Sequence, residues 1–226
     1  MIHFHLPSLQ TVLLTVGRNR DRHARMRKLF VNQGYENVRW IFGRPTANHH
    51  AGARIMAAET LRSIQCPTLW IEDDATILDA YTPDIQVPDD AQAVYLGGGR
   101  LGTSLRTIKL MREAGRHDLL ASVKACLPKS DGQGQNTRGM FRRALYADTE
   151  YPDWVRLFTM FTGHAILWLD DSVCRYFADV ITKSSECYDI AWSSHQWRFK
   201  IYCLRSPFFY QDDGHHAHTI TYCPPV

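Results

Sequence analysis

The sequence predicts an α/β fold built on a doubly wound, mostly parallel sheet flanked by helices. Short apolar runs rich in β-branched and aromatic residues recur at Thr11-Val12-Leu13-Leu14-Thr15-Val16, Asn37-Val38-Arg39-Trp40-Ile41-Phe42 and Thr68-Leu69-Trp70-Ile71, as buried strands of a parallel sheet would. Segments of helical spacing separate them, and that alternation favours right-handed crossovers within one sheet. No internal repeat, low-complexity tract or linker interrupts the 226 residues, so a single domain spanning 1–226 is expected.

Composition narrows the class. A hydrophobic content of 45% with 12% aromatics is ample for a large core. A formal charge of +3 and a pI near 8.5 fall short of what a dedicated nucleic-acid-binding domain usually carries. The six cysteines are scattered without a C-x-x-C pair, and Met1-Ile2-His3-Phe4-His5 lacks the basic start and apolar run of a signal peptide, so free thiols in a reducing cytoplasm are expected. No apolar run approaches the roughly 18 residues that span a bilayer.

In chain order, the first strand stops at Gly17 and gives way to Arg18, Arg20, Asp21, Arg22, Arg25, Arg27 and Lys28. These open a helix with Met26, Leu29 and Phe30 on its inner face, ending near Gly34. Guanidiniums at the C-terminal end of a strand, just ahead of a helix, suit an anionic ligand, and Arg18, Arg20 and Arg22 are the candidates. Arg25, Arg27 and Lys28 read as a solvated face. The strand 37–42 follows, then a helix over 51–64 with Ile55, Ala58 and Leu61 inward, broken at Cys66-Pro67. Residues 83–90 read as a loop and 91–96 as a further strand.

The stretch Thr68 to Leu78 carries the chemistry. Its strand runs straight into Glu72-Asp73-Asp74. Adjacent carboxylates repel one another and are costly to desolvate together, so they call for a compensating positive charge. Alternation along an extended segment lets Glu72 and Asp74 face one ion while Asp73 points elsewhere. Hard cations such as Mn²⁺ and Mg²⁺ favour such oxygen ligands and share them with a diphosphate. An acidic turn is the alternative.

Taken together, the strand followed by Arg18-Asn19-Arg20-Asp21-Arg22, the strand ending Trp70-Ile71-Glu72-Asp73-Asp74-Ala75, and Val94-Tyr95-Leu96-Gly97-Gly98 resemble glycosyltransferase family 25. One departure is Ala57-Ala58-Glu59-Thr60, where that family carries a Ser-His pair. The resemblance covers the first hundred or so residues well. It implies a GT-A-like fold with a Rossmann-like sugar-nucleotide-binding half, 1–102, and an acceptor half, 103–226. It also implies that Arg18, Arg20, Arg22, Asp73, Gly97 and Gly98 bind the donor, while Glu72 and Asp74 hold Mn²⁺ or Mg²⁺.

Gly97-Gly98-Gly99-Arg100-Leu101-Gly102 also satisfies G-x-G-x-x-G, the fingerprint of a Rossmann-type NAD(P)-dependent oxidoreductase. Three strands precede it and no acid-ended strand follows at the usual distance, so these glycines read as a flexible turn near the donor site. Further on, about 128–143 has turn composition and is expected to be a mobile basic loop. The run 158–169 reads as one strand interrupted at Gly163-His164, with His164 a core histidine. A helix over 171–182 and another from Glu186 follow, then a strand at 199–204. An acid in the first turn of the helix from Glu186 complements its dipole, but the resemblance makes Asp189 the base that deprotonates the acceptor. The tail holds His215, His216 and His218. Alone they suggest zinc or a surface cluster, whereas the resemblance implies that one of them completes the metal site.

The expected function is therefore a metal-dependent, inverting glycosyltransferase that moves a sugar from a nucleoside diphosphate sugar, a UDP-sugar, to a glycan or lipopolysaccharide, or to a hydroxymethylated base in DNA. A non-catalytic nucleic-acid-binding module, using the basic stretches at 18–28 and 124–143, is the reading from another class.

Overall fold

The computed structural model describes residues 1–15, 20–43, 49–99, 101–125, 143–161 and 163–211. The elements begin with β1 (Ile2–His5), β2 (Gln10–Thr15), α1 (Arg20–Asn32), β3 (Val38–Phe42), α2 (His49–Ser63), β4 (Thr68–Glu72), β5 (Ala75–Ile77), β6 (Asp84–Val87) and β7 (Ala93–Tyr95). They continue with α3 (Ser104–Glu113), α4 (His117–Ser122), β8 (Lys124–Ala125), β9 (Leu145–Asp148), β10 (Trp154–Thr159), β11 (Ala165–Trp168), α5 (Asp171–Lys183), α6 (Tyr188–Ser193), β12 (Ile201–Leu204) and β13 (Phe209–Gln211). No described helix is long and apolar enough to cross a membrane.

Among the described residues, nine strands form one sheet in the order β3-β2-β4-β11-β7-β12-β10-β9-β8, and β1/β6 and β5/β13 form two small antiparallel pairs. The α/β class stands, but the large sheet is mixed, not mostly parallel. Among the named strands of the described residues, parallel pairing is confined to β2/β3, β2/β4 and β7/β12. Helical crossovers α1 and α2 set the first two of these, as parallel neighbours require. β11 enters between β4 and β7 and runs against both. Its residues Ala165, Ile166, Leu167 and Trp168 are buried on both faces, so its apolar run resembled that of a parallel strand while its direction was opposite.

Three smaller expectations also change. Residues 84–87 form β6 against β1 instead of a loop, because Ile85 and Val87 alternate inward while Asp84 and Gln86 face out. The run 158–169 is not one strand: the chain leaves β10 after Thr159 and starts β11 at Ala165. Ile55 is 39% exposed; Ala58 and Leu61 do face inward, together with Ala53, Met56 and Ala57. The expected loop at about 128–143 lies, apart from Arg143, outside the described residues.

Alternation along the strands divides the core between two faces. Val12, Leu14, Trp70, Ile166 and Trp168 pack under α2, α5 and α6. Leu13, Leu69, Ile71, Val94 and Leu167 pack under Met26 and Phe30 of α1. The first face is aromatic at its centre. Trp192 of α6 meets Trp70 at 5.9 Å, Trp168 at 5.6 Å and Tyr188 at 5.3 Å between ring centroids, each edge to face. Such pairs add about 0.5–1.5 kcal/mol beyond their burial, and they seat the short helix α6 against β4. Trp192→Ala should therefore destabilise the fold by about 3–5 kcal/mol in a urea titration, and a loss below about 1 kcal/mol would mean that α6 is held by something else.

Candidate functional site

The three acids sit where β4 ends. Glu72 is the last strand residue, and Asp73 and Asp74 form the turn into β5. Flanking strands hold this turn by its backbone: the Asp73 amide donates to Leu14 O at 2.9 Å and the Glu72 amide to His164 O at 3.0 Å. The motif thus belongs to the sheet and is not a loose surface turn.

Each carboxylate has a separate environment. Asp73 is 3% exposed and faces α1, where its carboxylate accepts from Thr15 Oγ1 at 2.6 Å and Arg22 Nη1 at 3.2 Å. Thr15 Oγ1 in turn lies 2.7 Å from His23 Nε2, and Arg25 Nη2 donates to the Asp73 carbonyl at 3.3 Å. Asp74 accepts from Gln211 Nε2 at 3.0 Å and lies 3.8 Å from Arg22 Nη1. Its other oxygen, Oδ1, is buried and makes no hydrogen bond among the described residues. Glu72 accepts a hydrogen bond from the hydroxyl of Tyr188 in α6.

The electrostatics are strained in one direction. Burial, followed by the charge of Asp74, pushes the Glu72 carboxyl well above its ordinary range, and the charges of Asp189 and Asp73 push it the same way. Burial likewise raises Asp74, against the opposing pull of Gln211 and Arg22. These acids therefore ionise at a cost that their own partners do not offset.

Asp189 joins this neighbourhood from α6. Its Oδ1 accepts from the Ile190 amide at 2.9 Å, and its charge also acts on Tyr188 and Tyr95. At Gly163, a Cβ would fall 2.9 Å from both Glu72 Oε1 and the Trp192 ring, so only glycine leaves the carboxylate room there.

Of the residues singled out from sequence, Glu72, Asp73, Asp74, Arg22 and Asp189 converge. Arg22 turns to the acids themselves instead of standing open as an anion site, because the carboxylates of Asp73 and Asp74 lie within its reach. Arg20 is exposed at the start of α1. Arg18, His215, His216 and His218 lie outside the described residues. Gly97 and Gly98 are buried, not a flexible turn: a Cβ on Gly97 would stand 2.0 Å from His164 Nε2, and the Gly99 amide donates to Met160 Sδ at 3.0 Å. Packing of the chain against itself accounts for Gly97. Arg25, assigned to a solvated face, instead caps the motif through the Asp73 carbonyl. Sequence reasoning missed Thr15, His23, Gln211 and Tyr188, and only Tyr188 carried a signal, as the neighbour of Asp189.

Among the described residues, no group of three or more His, Cys, Asp or Glu side chains forms a metal site. The Glu72 and Asp74 pair could nevertheless hold a divalent cation through its oxygens: an Asp74 Oδ1 without a hydrogen bond among the described residues, and carboxyl pKa values raised by burial, are what an added positive charge would relieve. No protein-family model matches the chain, and no curated protein matches it significantly.

Two outcomes follow for stability. Glu72→Gln keeps an acceptor for Tyr188 and removes one buried charge, so without divalent ions its melting temperature should exceed that of the wild type by roughly 2–4 °C per kcal/mol of repulsion removed; a lower value would contradict the charge balance described. His164 is held neutral by burial, its pKa lowered from 6.5 to about 4. Since the folded value lies below the unfolded one, the stabilisation is complete above about pH 6.5 and is lost as pH falls towards 4. Between pH 7 and 4.5 the wild type should lose about 2 kcal/mol more than His164→Gln in denaturant titrations, whereas equal losses would show that this histidine titrates normally.

Proposed function

We propose that the chain is a metal-dependent glycosyltransferase with a GT-A-like fold, taking a nucleoside diphosphate sugar as donor. The observation that carries this reading is the half-buried, incompletely compensated pair Glu72 and Asp74 at the C-terminal end of β4, with Asp189 brought beside it by α6. Open α/β sheets bind ligands at the C-terminal ends of their strands, and β2 and β4 end together here through the Asp73 contact with Leu14.

In this reading Glu72 and Asp74 would hold Mn²⁺ or Mg²⁺. Bound there, the cation would neutralise charge developing on the departing diphosphate. Tyr188 fixes Glu72 by donating to it, and the Arg22 contact with Asp73 and Asp74 fixes the turn that presents them. Asp189 accepts the proton of the acceptor hydroxyl as the new glycosidic bond forms, on the face opposite the leaving group in an inverting transfer. The acceptor class is a glycan or lipopolysaccharide hydroxyl, or the hydroxymethyl group of a modified DNA base.

A screen of UDP-sugars by thermal shift and by release of UDP, with and without Mn²⁺, tests the reading. One UDP-sugar should raise the melting temperature only with metal, through preferential binding to the folded state, and Asp74→Ala should abolish both the shift and turnover. Asp189→Asn should keep the metal-dependent shift while lowering transfer by about 10²–10⁴. Full turnover in Asp74→Ala would overturn the assignment.

A further inference from the structure

We propose that Cys66 and Cys174 are a covalent modification site, forming a reversible disulfide that ties the turn before β4 to helix α5. Both are free thiols, and their sulfurs stand 3.8 Å apart although 108 positions separate them in sequence. A disulfide needs about 2.05 Å, so the two sulfurs must approach by about 1.75 Å.

The fold already holds these two thiols together. The Cys66 amide donates to Asp171 Oδ1 at 2.8 Å, and Asp171 and Cys174 are i and i+3 on α5, hence on one face. The end of α2 is tied to the same helix, with Arg62 donating to Asp179 at 3.0 Å and to Thr182 at 2.9 Å. Little further ordering is needed to close the bond, which favours the protein disulfide over a mixed one. Access is asymmetric: Cys66 is partly exposed, whereas Cys174 is 0% exposed.

The co-reactant is a small-molecule disulfide such as oxidised glutathione. The Cys66 sulfur attacks one of its sulfurs, breaking that S–S bond and releasing one thiol; the Cys174 sulfur then attacks Cys66 and releases the second. Two protein thiols are oxidised, one disulfide is reduced to two thiols, and the protons from Cys66 and Cys174 pass to the departing sulfurs. The contact with Cys174, together with burial, pushes the Cys66 thiol up, so the thiolate is scarce and the exchange is slow. Once formed, the bond closes a long loop and anchors the N-terminal end of β4, the strand whose other end carries Glu72.

The full chain would be incubated with oxidised glutathione, alkylated and mapped by peptide mass spectrometry without reduction, alongside Cys174→Ala. The expected result is a cross-linked peptide pair containing Cys66 and Cys174, with a melting temperature that rises on oxidation and returns with dithiothreitol. Cys174→Ala should instead gain one glutathionyl group on Cys66. The proposal is overturned if the wild type stops at a mixed disulfide on Cys66, if Cys66 is joined to another cysteine, or if both residues remain free thiols.

Discussion

Placing two half-buried carboxylates beside each other is the constraint on which the rest of this molecule turns. Glu72 and Asp74 stand at the end of a strand whose preceding residues, Leu69, Trp70 and Ile71, are all 0% exposed, so the acids inherit a low-dielectric floor. Protein groups offset part of the cost, with Tyr188 on Glu72 and with Gln211 and Arg22 near Asp74. The remainder persists as carboxyl pKa values raised above their ordinary range. Such perturbation marks functional sites more often than ordinary surface clusters, although structural ion networks also produce it. Here Asp74 Oδ1 makes no hydrogen bond among the described residues.

The surrounding architecture keeps that arrangement fixed. Mixed pairing places β11 against β4, and the His164 carbonyl at the start of β11 receives the Glu72 amide. The Trp70, Trp168 and Trp192 cluster beneath the same strand end seats α6, which supplies Tyr188 and Asp189. The acids thus rest on packed, sequence-distant elements that hold their geometry tightly. On the opposite face, Asp73 links the motif to Thr15, His23 and Arg22 at the start of α1.

Much of this was legible from periodicity. β2, β4, α1 and α5 follow from apolar spacing, and Glu72-Asp73-Asp74 stood out because three adjacent carboxylates at the end of a buried strand repel one another and are costly to desolvate. Strand direction was not legible in β11, since a strand buried on both faces reads the same whichever way it runs. Nor was the Tyr188 bond to Glu72, which spans 116 positions and depends on where α6 lands. Arg25 was misread because charge pattern alone does not show that the Asp73 carbonyl lies above it. Gly97 looked like a turn residue, and only the position of His164 shows that it is demanded by close packing.

The most direct test of the central claim is Mn²⁺ binding measured by titration calorimetry in the presence of UDP, comparing the wild type with Glu72→Gln and Asp74→Asn. If the acid pair is a cation site, the wild type binds one Mn²⁺ and both variants lose that binding while remaining folded. Undiminished Mn²⁺ binding in both variants, or none in the wild type, would contradict the account and leave the acids as a structural turn.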